Sequence, residues 1–164
     1  MELIAHRGLT QGPNKDLENH PDQLLKAVDQ GFDCEIDLRV IDGRMWLGHD
    51  APQYEVTQEF ISNPAFWIHA KNLEALRFLF ATKLNYFWHQ EDDCVVTTHG
   101  YIWTYPEKDL TDKSIMLMPE WANPTLEGIE LTNECHAICS DYVELIKTKF
   151  ELKFQRDLVL DIIG

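Results

Sequence analysis

Three short stretches near the start of the chain hold residues able to do chemistry together: His6-Arg7, Glu35-x-Asp37 and His49-Asp50. Glu35 and Asp37 lie in FDCEIDLRV, an apolar run that predicts a strand. Residues two apart in a strand share a face, so both acids point one way and Cys34, Ile36 and Leu38 the other. Like charges side by side in an interior strand repel and lose hydration unless a cation lies between them. The plainer alternative satisfies the pair with Arg7, Arg39 or Lys71. The spacing favours a site with hard oxygen ligands, suited to Mg²⁺ or Ca²⁺. Histidines titrate near neutral pH and can give or take a proton, and an arginine fork grips oxyanions bidentately.

The elements that must position these groups alternate. ELIAHRG predicts a first strand ending at Arg7-Gly8. Pro21 opens a helix, PDQLLKAVDQG, with apolar residues at helical spacing and Gly31 as its stop. FDCEIDLRV is the second strand, and the Asp42-Gly43 turn returns RMWLGHD as a hairpin arm. A short helix is expected over residues 57–62. WIHAK is a further strand, and NLEALRFLFATKL a helix capped by Asn72. NYFWHQ, YIWTYP, SIMLMPE and HAICSDYV are more strand candidates, and EDDCVVTTHG and EKDLTDK read as connections. ANPTLEGIELTN reads as helix or irregular chain, and ELIKTKFELKFQRDLVL as a mixed or helical tail. Strand-helix alternation favours a mainly parallel sheet with its connections outside. His6, Glu35, Asp37, His49, His69, Lys71, His89, Gln90 and Glu120 then fall in, or at the C-terminal ends of, strands, where α/β barrels bind ligands.

The 164 residues suffice for one domain, 1–164, but fall short of the ~250 residues usual for a full eight-unit barrel. A net charge of −14 argues against nucleic acid and anionic membrane as partners. No apolar run reaches membrane-spanning length, and no signal core precedes the first strand, so a cytoplasmic location is expected. Cys34, Cys94, Cys135 and Cys139 are scattered. Cys135-His136 with Cys139 suggests zinc only weakly, because no second ligand pair of the usual spacing follows, so reduced thiols are expected.

The residues His6-Arg7-Gly8, Glu18-Asn19, Ala27, Gly31, Glu35-x-Asp37, Asp42-Gly43 and His49-Asp50, in this order and spacing, resemble the N-terminal signature of the glycerophosphodiester phosphodiesterases. The resemblance is dense from Ile4 to Asp50. It thins beyond, to Lys71 in WIHAKN and the strand AICSDY. It implies a barrel of the TIM type, metal-assisted cleavage of a phosphodiester, and His6 and His49 as the acid–base pair. Such cleavage needs a base, an acid and positive charge on the phosphoryl oxygens. Arg7 would clamp the phosphate and Lys71 add a point charge. In the family an internal hydroxyl attacks first, giving a cyclic phosphate that water can open. Glu18 and Asn19 either cap the helix after Pro21 or reach the site, and the resemblance favours the site.

One position departs from the family. Its third strand carries Glu-x-Lys, with the acid on the metal; here the stretch is His69-Ala70-Lys71. An imidazole in place of a carboxylate removes a negative charge and tilts the preference from Ca²⁺ towards Mn²⁺ or Zn²⁺. Otherwise His69 does not ligate, and water or Glu120 completes the shell. His89 has no motif attached and is expected on the rim, with a head group or a sugar hydroxyl as its contact. The tryptophans read mostly as core, with an apolar or stacking wall as the alternative for them and Tyr105.

The expectation is an α/β fold, a contracted TIM-like (β/α) barrel of mainly parallel strands with a small hairpin after the second. Its activity would be that of a phosphoric diester hydrolase, or a cyclising lyase, with Mg²⁺, Ca²⁺ or Mn²⁺. The substrate would be a small glycerophosphodiester or sugar phosphodiester. Catalysis falls to His6, His49 and Arg7, metal binding to Glu35, Asp37 and His69, and substrate contact to Lys71, Glu18, Asn19, His89 and Glu120. The alternative is a catalytically inactive barrel that binds a phosphorylated sugar or lipid head group.

Overall fold

Alternation of apolar and polar residues, interrupted by Pro and Gly turns, produces short strands around one long one. The computed structural model describes residues 1–126, 134–149 and 151. In the first half the elements are β1 (Glu2–Ala5), α1 (Pro21–Asp29), β2 (Asp33–Ile41), β3 (Arg44–Leu47), β4 (Tyr54–Val56), α2 (Gln58–Ile61) and β5 (Phe66–Ala70). There follow α3 (Leu73–Leu79), β6 (Tyr86–Phe87), β7 (Cys94–Val96), β8 (Ile102–Thr104), β9 (Ser114–Leu117), α4 (Pro119–Ala122) and β10 (Ala137–Ser140).

The sheet is mixed. Parallel ladders join β6 to β5, β5 to β2, β2 to β1, β1 to β10, β10 to β9 and β9 to β8. Antiparallel ladders attach β3 to β2, β4 to β3 and β7 to β8. The sheet curls, because Phe87 of β6 stacks on Trp103 of β8 with ring centroids 4.6 Å apart, although those strands end opposite sides of the parallel run. Among the described residues no ladder joins β6 to β8, so the curl is not a closed ring. Thr98 N–H donates to the Tyr86 carbonyl at 2.9 Å across this gap.

Strand alternation divides the core. Ile4, Trp67, Phe87, Trp103, Ile115, Leu117, Ala137 and Cys139 fill the concave side. Ala5, Cys34, Ile36, Leu38, Phe66 and Ile68 face outward, against Leu24 and Ala27 of α1 and Ala75 and Leu79 of α3. Each buried Leu or Ile of this kind contributes about 1.5–3 kcal/mol. The concave side is apolar at one end only. Beyond β1, β2 and β5 towards their C-termini, the inward positions are polar and hold the site described below.

Some segments differ from expectation. CVV, read as connection, forms β7, its two valines suiting a strand paired with β8 through a turn ending at Gly100. YEV, given no element from the sequence, forms β4 on the hairpin. NYFWHQ keeps only Tyr86–Phe87 as strand, so His89 and Gln90 lie past its end. The expected helix or irregular chain of ANPTLEGIELTN and the tail partly lie outside the described residues; residues 143–149 are helical. Among the described helices, none is long and apolar enough to cross a membrane. All four cysteines are free thiols, and His136 Nε2 lies 3.1 Å from Glu2 Oε2.

Candidate functional site

Register brings the site together. Ala5 of β1 stands opposite Ser140 of β10 and Cys34 of β2. The next residue of each strand, His6, Asp141 and Glu35, is therefore level with the others. On the other edge of β2, Asp37 stands opposite His69 of β5. Same-face neighbours on paired strands touch, and one ligand atom each from Glu35, Asp37 and His69 lie within 4.8 Å of one another. Glu35 and Asp37 are buried, at 2% and 0% exposure.

The turn after β1 wraps over these acids. Arg7 takes a left-handed backbone, φ 52°, which costs a non-glycine residue about 1–2 kcal/mol. That bend aims its backbone N–H at Glu35 Oε2 (3.2 Å) and lets its Nη1 donate to Glu18 Oε2 (2.9 Å). Its Nε lies 3.2 Å from Asp37 Oδ2, an ion pair without hydrogen-bond alignment. Gly8 follows at φ 77°, and a β-carbon there would lie 2.8 Å from Leu24 Cδ2, so the turn also needs its small size. Asn19, left-handed at φ 59°, clamps Asp37 from below: Nδ2 donates to Oδ2, and Oδ1 accepts the Asp37 backbone N–H, both at 2.9 Å. Neither Glu18 nor Asn19 caps α1, because His20 Nδ1 accepts from Asp22 N–H in that role. Both reach the site.

The electrostatics follow from burial and neighbours. Burial alone would raise the Asp37 carboxyl, but His69, Arg7 and Lys71 outweigh it and hold Asp37 well below the usual carboxylate range. Lys71 Nζ is 3.6 Å from Asp37 Oδ1. Burial works against charge on His69 too, yet the two carboxylates raise it to about 9. A carbonyl only accepts, so His69 Nε2–H donates to the His89 carbonyl at 3.1 Å. Its Nδ1 then faces Asp37 Oδ1 at 3.4 Å and Glu35 Oε1 at 3.6 Å. A second ring nitrogen anchored on a carbonyl is the usual support of a metal-binding imidazole. Asp37 Oδ1 is buried and has no hydrogen-bond partner. His69 Nδ1 and Lys71 Nζ approach it only as ion pairs. Two carboxylates and one imidazole could hold a divalent cation, with the nitrogen favouring Mn²⁺ or Zn²⁺ over Ca²⁺.

His6 stands beside this cluster. Its Nδ1–H donates to Asp141 Oδ1 at 2.8 Å, and its Nε2 lies 4.0 Å from Glu35 Oε2. Burial would lower His6, but the Asp141 hydrogen bond and the Glu35 charge raise it. Glu120, expected in the shell, is spent elsewhere: Ser140 Oγ and Asp141 N–H donate to its carboxylate at 2.9 Å. Burial first raises its pKa, with Asp141 adding to that. It reaches His6 only through Asp141. Asp141 itself is the residue the sequence reading missed. Its signal was its place at the end of the AICSDY strand, the position shared by the other site residues.

Two cavities meet at His6. The inner one, about 100 Å³, is lined by Glu35, Asp37, His49, His69, His89 and Tyr105 among others. The outer one, about 240 Å³, is lined by Asn14, Lys15, Glu18 and Asp141 among others. His6, Arg7 and Trp121 line both. His49 enters from the loop after β3, its Nδ1 within 2.7 Å of Asp50 Oδ1. His89 sits with its ring 4.8 Å from Tyr105, and burial together with the positive charge of His69 lowers its pKa. Comparison with known protein families, curated proteins and solved structures finds no match to this chain.

Proposed function

We propose that this chain is a metal-dependent phosphodiesterase of the glycerophosphodiester phosphodiesterase type, on a contracted TIM-like barrel. One observation carries the reading: the Glu35–Asp37–His69 cluster lines the same cavity as His6, Arg7 and His49. A divalent cation held by that cluster would supply charge to neutralise phosphoryl oxygens.

The chain's own groups divide the remaining work. With Nδ1–H given to Asp141, His6 keeps a lone pair on Nε2, directed to the Glu35 side of the cavity, and takes the proton of the attacking hydroxyl. His49 gives a proton to the leaving oxygen, its ring steadied by Asp50. Arg7, fixed by Glu18, turns its guanidinium to the phosphate, and Lys71 adds a second positive charge. His6 and His49 can exchange roles if water opens a cyclic product. The substrate is a small glycerophosphodiester or sugar phosphodiester.

The test is release of glycerol phosphate, or its cyclic form, from a panel of glycerophosphodiesters with Mg²⁺, Ca²⁺, Mn²⁺ or chelator, beside His6→Ala. Metal-dependent turnover lost in the variant is expected. A second reading is a quiet barrel that binds a phosphorylated sugar or lipid head group. The ring of Arg7, Lys71 and His69 around Asp37 favours it, since these cations already balance the acids. No turnover with any metal would select it.

A further inference from the structure

His6 and His49 are held by different means. His6 follows β1 and leans on buried Asp141, whereas His49 lies on the loop after β3 and its ring partner, Asp50, is exposed. An exposed ion pair adds little and does not by itself fix a loop. The anchor comes from β2. Strand alternation puts Arg39 on the face of Glu35 and Asp37. Weighed from the sequence as a partner for those acids, Arg39 instead spends its guanidinium on two successive carbonyls. Nε–H donates to the Gly48 carbonyl at 3.1 Å and Nη2–H to the His49 carbonyl at 2.5 Å. Gly48 N–H donates in turn to the Asp37 carbonyl at 3.1 Å, so β2 ties this loop at three points. The turn is tight: Gly48 has φ 146°, and a β-carbon there would lie 2.0 Å from the Ala51 carbonyl oxygen. Only glycine fits.

One strand thus carries, two residues apart, both acids of the cluster and the clamp on the His49 loop. The separation between Glu35–Asp37 and His49 is set within β2 and does not depend on the exposed side of the loop. A planar fork with fixed donors suits two adjacent carbonyls better than the point charge of a lysine. We infer that Arg39 is the positioning residue for His49, holding its ring over the inner cavity where it gives a proton to the leaving oxygen. In that step the attacking hydroxyl bonds to phosphorus and gives its proton to His6. The bond from phosphorus to the leaving arm breaks, and the His49 proton goes to the departing oxygen. The proton-giving role rests on the phosphodiesterase reading above; the hold of Arg39 on the loop does not.

The test compares the ethyl and p-nitrophenyl diesters of glycerol 3-phosphate, with Mn²⁺, in the unaltered protein, Arg39→Met, His49→Ala and the double variant. Ethoxide needs a proton to leave, whereas p-nitrophenolate leaves without one. Arg39→Met is expected to lower kcat for the ethyl diester about tenfold, and His49→Ala about 100-fold, with the p-nitrophenyl diester within about twofold in both. In the His49→Ala background Arg39→Met should cost nothing further, since it acts through His49. Arg39→Lys keeps a charged donor, should lose less, and serves where Arg39→Met does not fold. Equal losses on the two diesters, or a loss that adds to that of His49→Ala, would overturn the inference. Backbone ¹⁵N relaxation gives a readout free of activity: motion gained at residues 48–51 of Arg39→Met supports the clamp, and an unchanged loop overturns it. If the unaltered protein turns over neither diester, the phosphodiesterase reading fails, and relaxation alone decides whether Arg39 holds the loop.

Discussion

Asp141 holds His6 across 135 positions of sequence, the His6 Nδ1–H donating to Asp141 Oδ1 at 2.8 Å. The contact exists because β1 and β10 are parallel neighbours with Ala5 opposite Ser140. A carboxylate there fixes the tautomer of the ring and favours its protonated form. Asp141→Asn is expected to lower kcat about 100-fold or more while leaving KM nearly unchanged. The hydrogen bond raises the His6 pKa, so its loss lowers that pKa, and the His6 limb of the kcat–pH profile should move to lower pH. A profile that stays in place would remove Asp141 from this role.

On the proposed reading, a cation in the Glu35–Asp37–His69 cluster would compete with a proton for the same His69 nitrogen. Its pKa, raised from 6.5 to about 9 in the metal-free protein, exceeds its unfolded value. The stability this adds is fully present below pH 6.5 and is lost as pH rises through about 9. Metal binding runs the other way, since the proton must leave first. Apparent Mn²⁺ affinity is therefore expected to climb across the same interval, and His69→Ala to weaken it about 100-fold or more. Calorimetry at several pH values checks both. An affinity flat over that interval would exclude His69 as a ligand.

Asn19 is a structural test of the same cluster. Its side chain makes two 2.9 Å hydrogen bonds to Asp37, one to the carboxylate and one from the backbone N–H. Asn19→Ala orphans a buried N–H and leaves alanine in a left-handed conformation that asparagine tolerates better. A loss of about 2–4 kcal/mol is expected in urea unfolding of the metal-free protein. A loss below about 0.5 kcal/mol would mean that solvent replaces both bonds.

Local patterning made the first half of this site legible. Glu35 and Asp37 share a face because strands alternate, and His69 joins them because β2 and β5 pair in register. Helix signals were equally local, as with Asn72, whose Oδ1 accepts the Ala75 N–H at 3.0 Å. The role of Asp141 depends on the pairing of β1 with β10, neighbours in the sheet but far apart in sequence, which no local pattern encodes. Glu120 looked like a ligand by its place after a strand, but a left-handed Met118 turns the chain and sends its carboxylate to Ser140. The hairpin of β7 and β8 was hidden because its first strand is only three residues long and half exposed.

Glu120 separates ligation from positioning. Its carboxylate accepts from Ser140 Oγ and Asp141 N–H, and so fixes the backbone that carries the Asp141 side chain to His6. Glu120→Gln keeps one carbonyl oxygen for these donors but places an amide N–H₂ where the second oxygen stood. Asp141 should shift by a few tenths of an ångström or more, enough to loosen its hold on His6. The expected result is a kcat about tenfold lower with Mn²⁺ affinity unchanged. Were Glu120 a metal ligand, calorimetry would show the affinity falling with kcat, because a carbonyl oxygen is a weaker ligand than a carboxylate. Burial raises the Glu120 carboxyl, so the same loosening should appear in the unaltered protein at acid pH, where protonation removes the charge its two donors need.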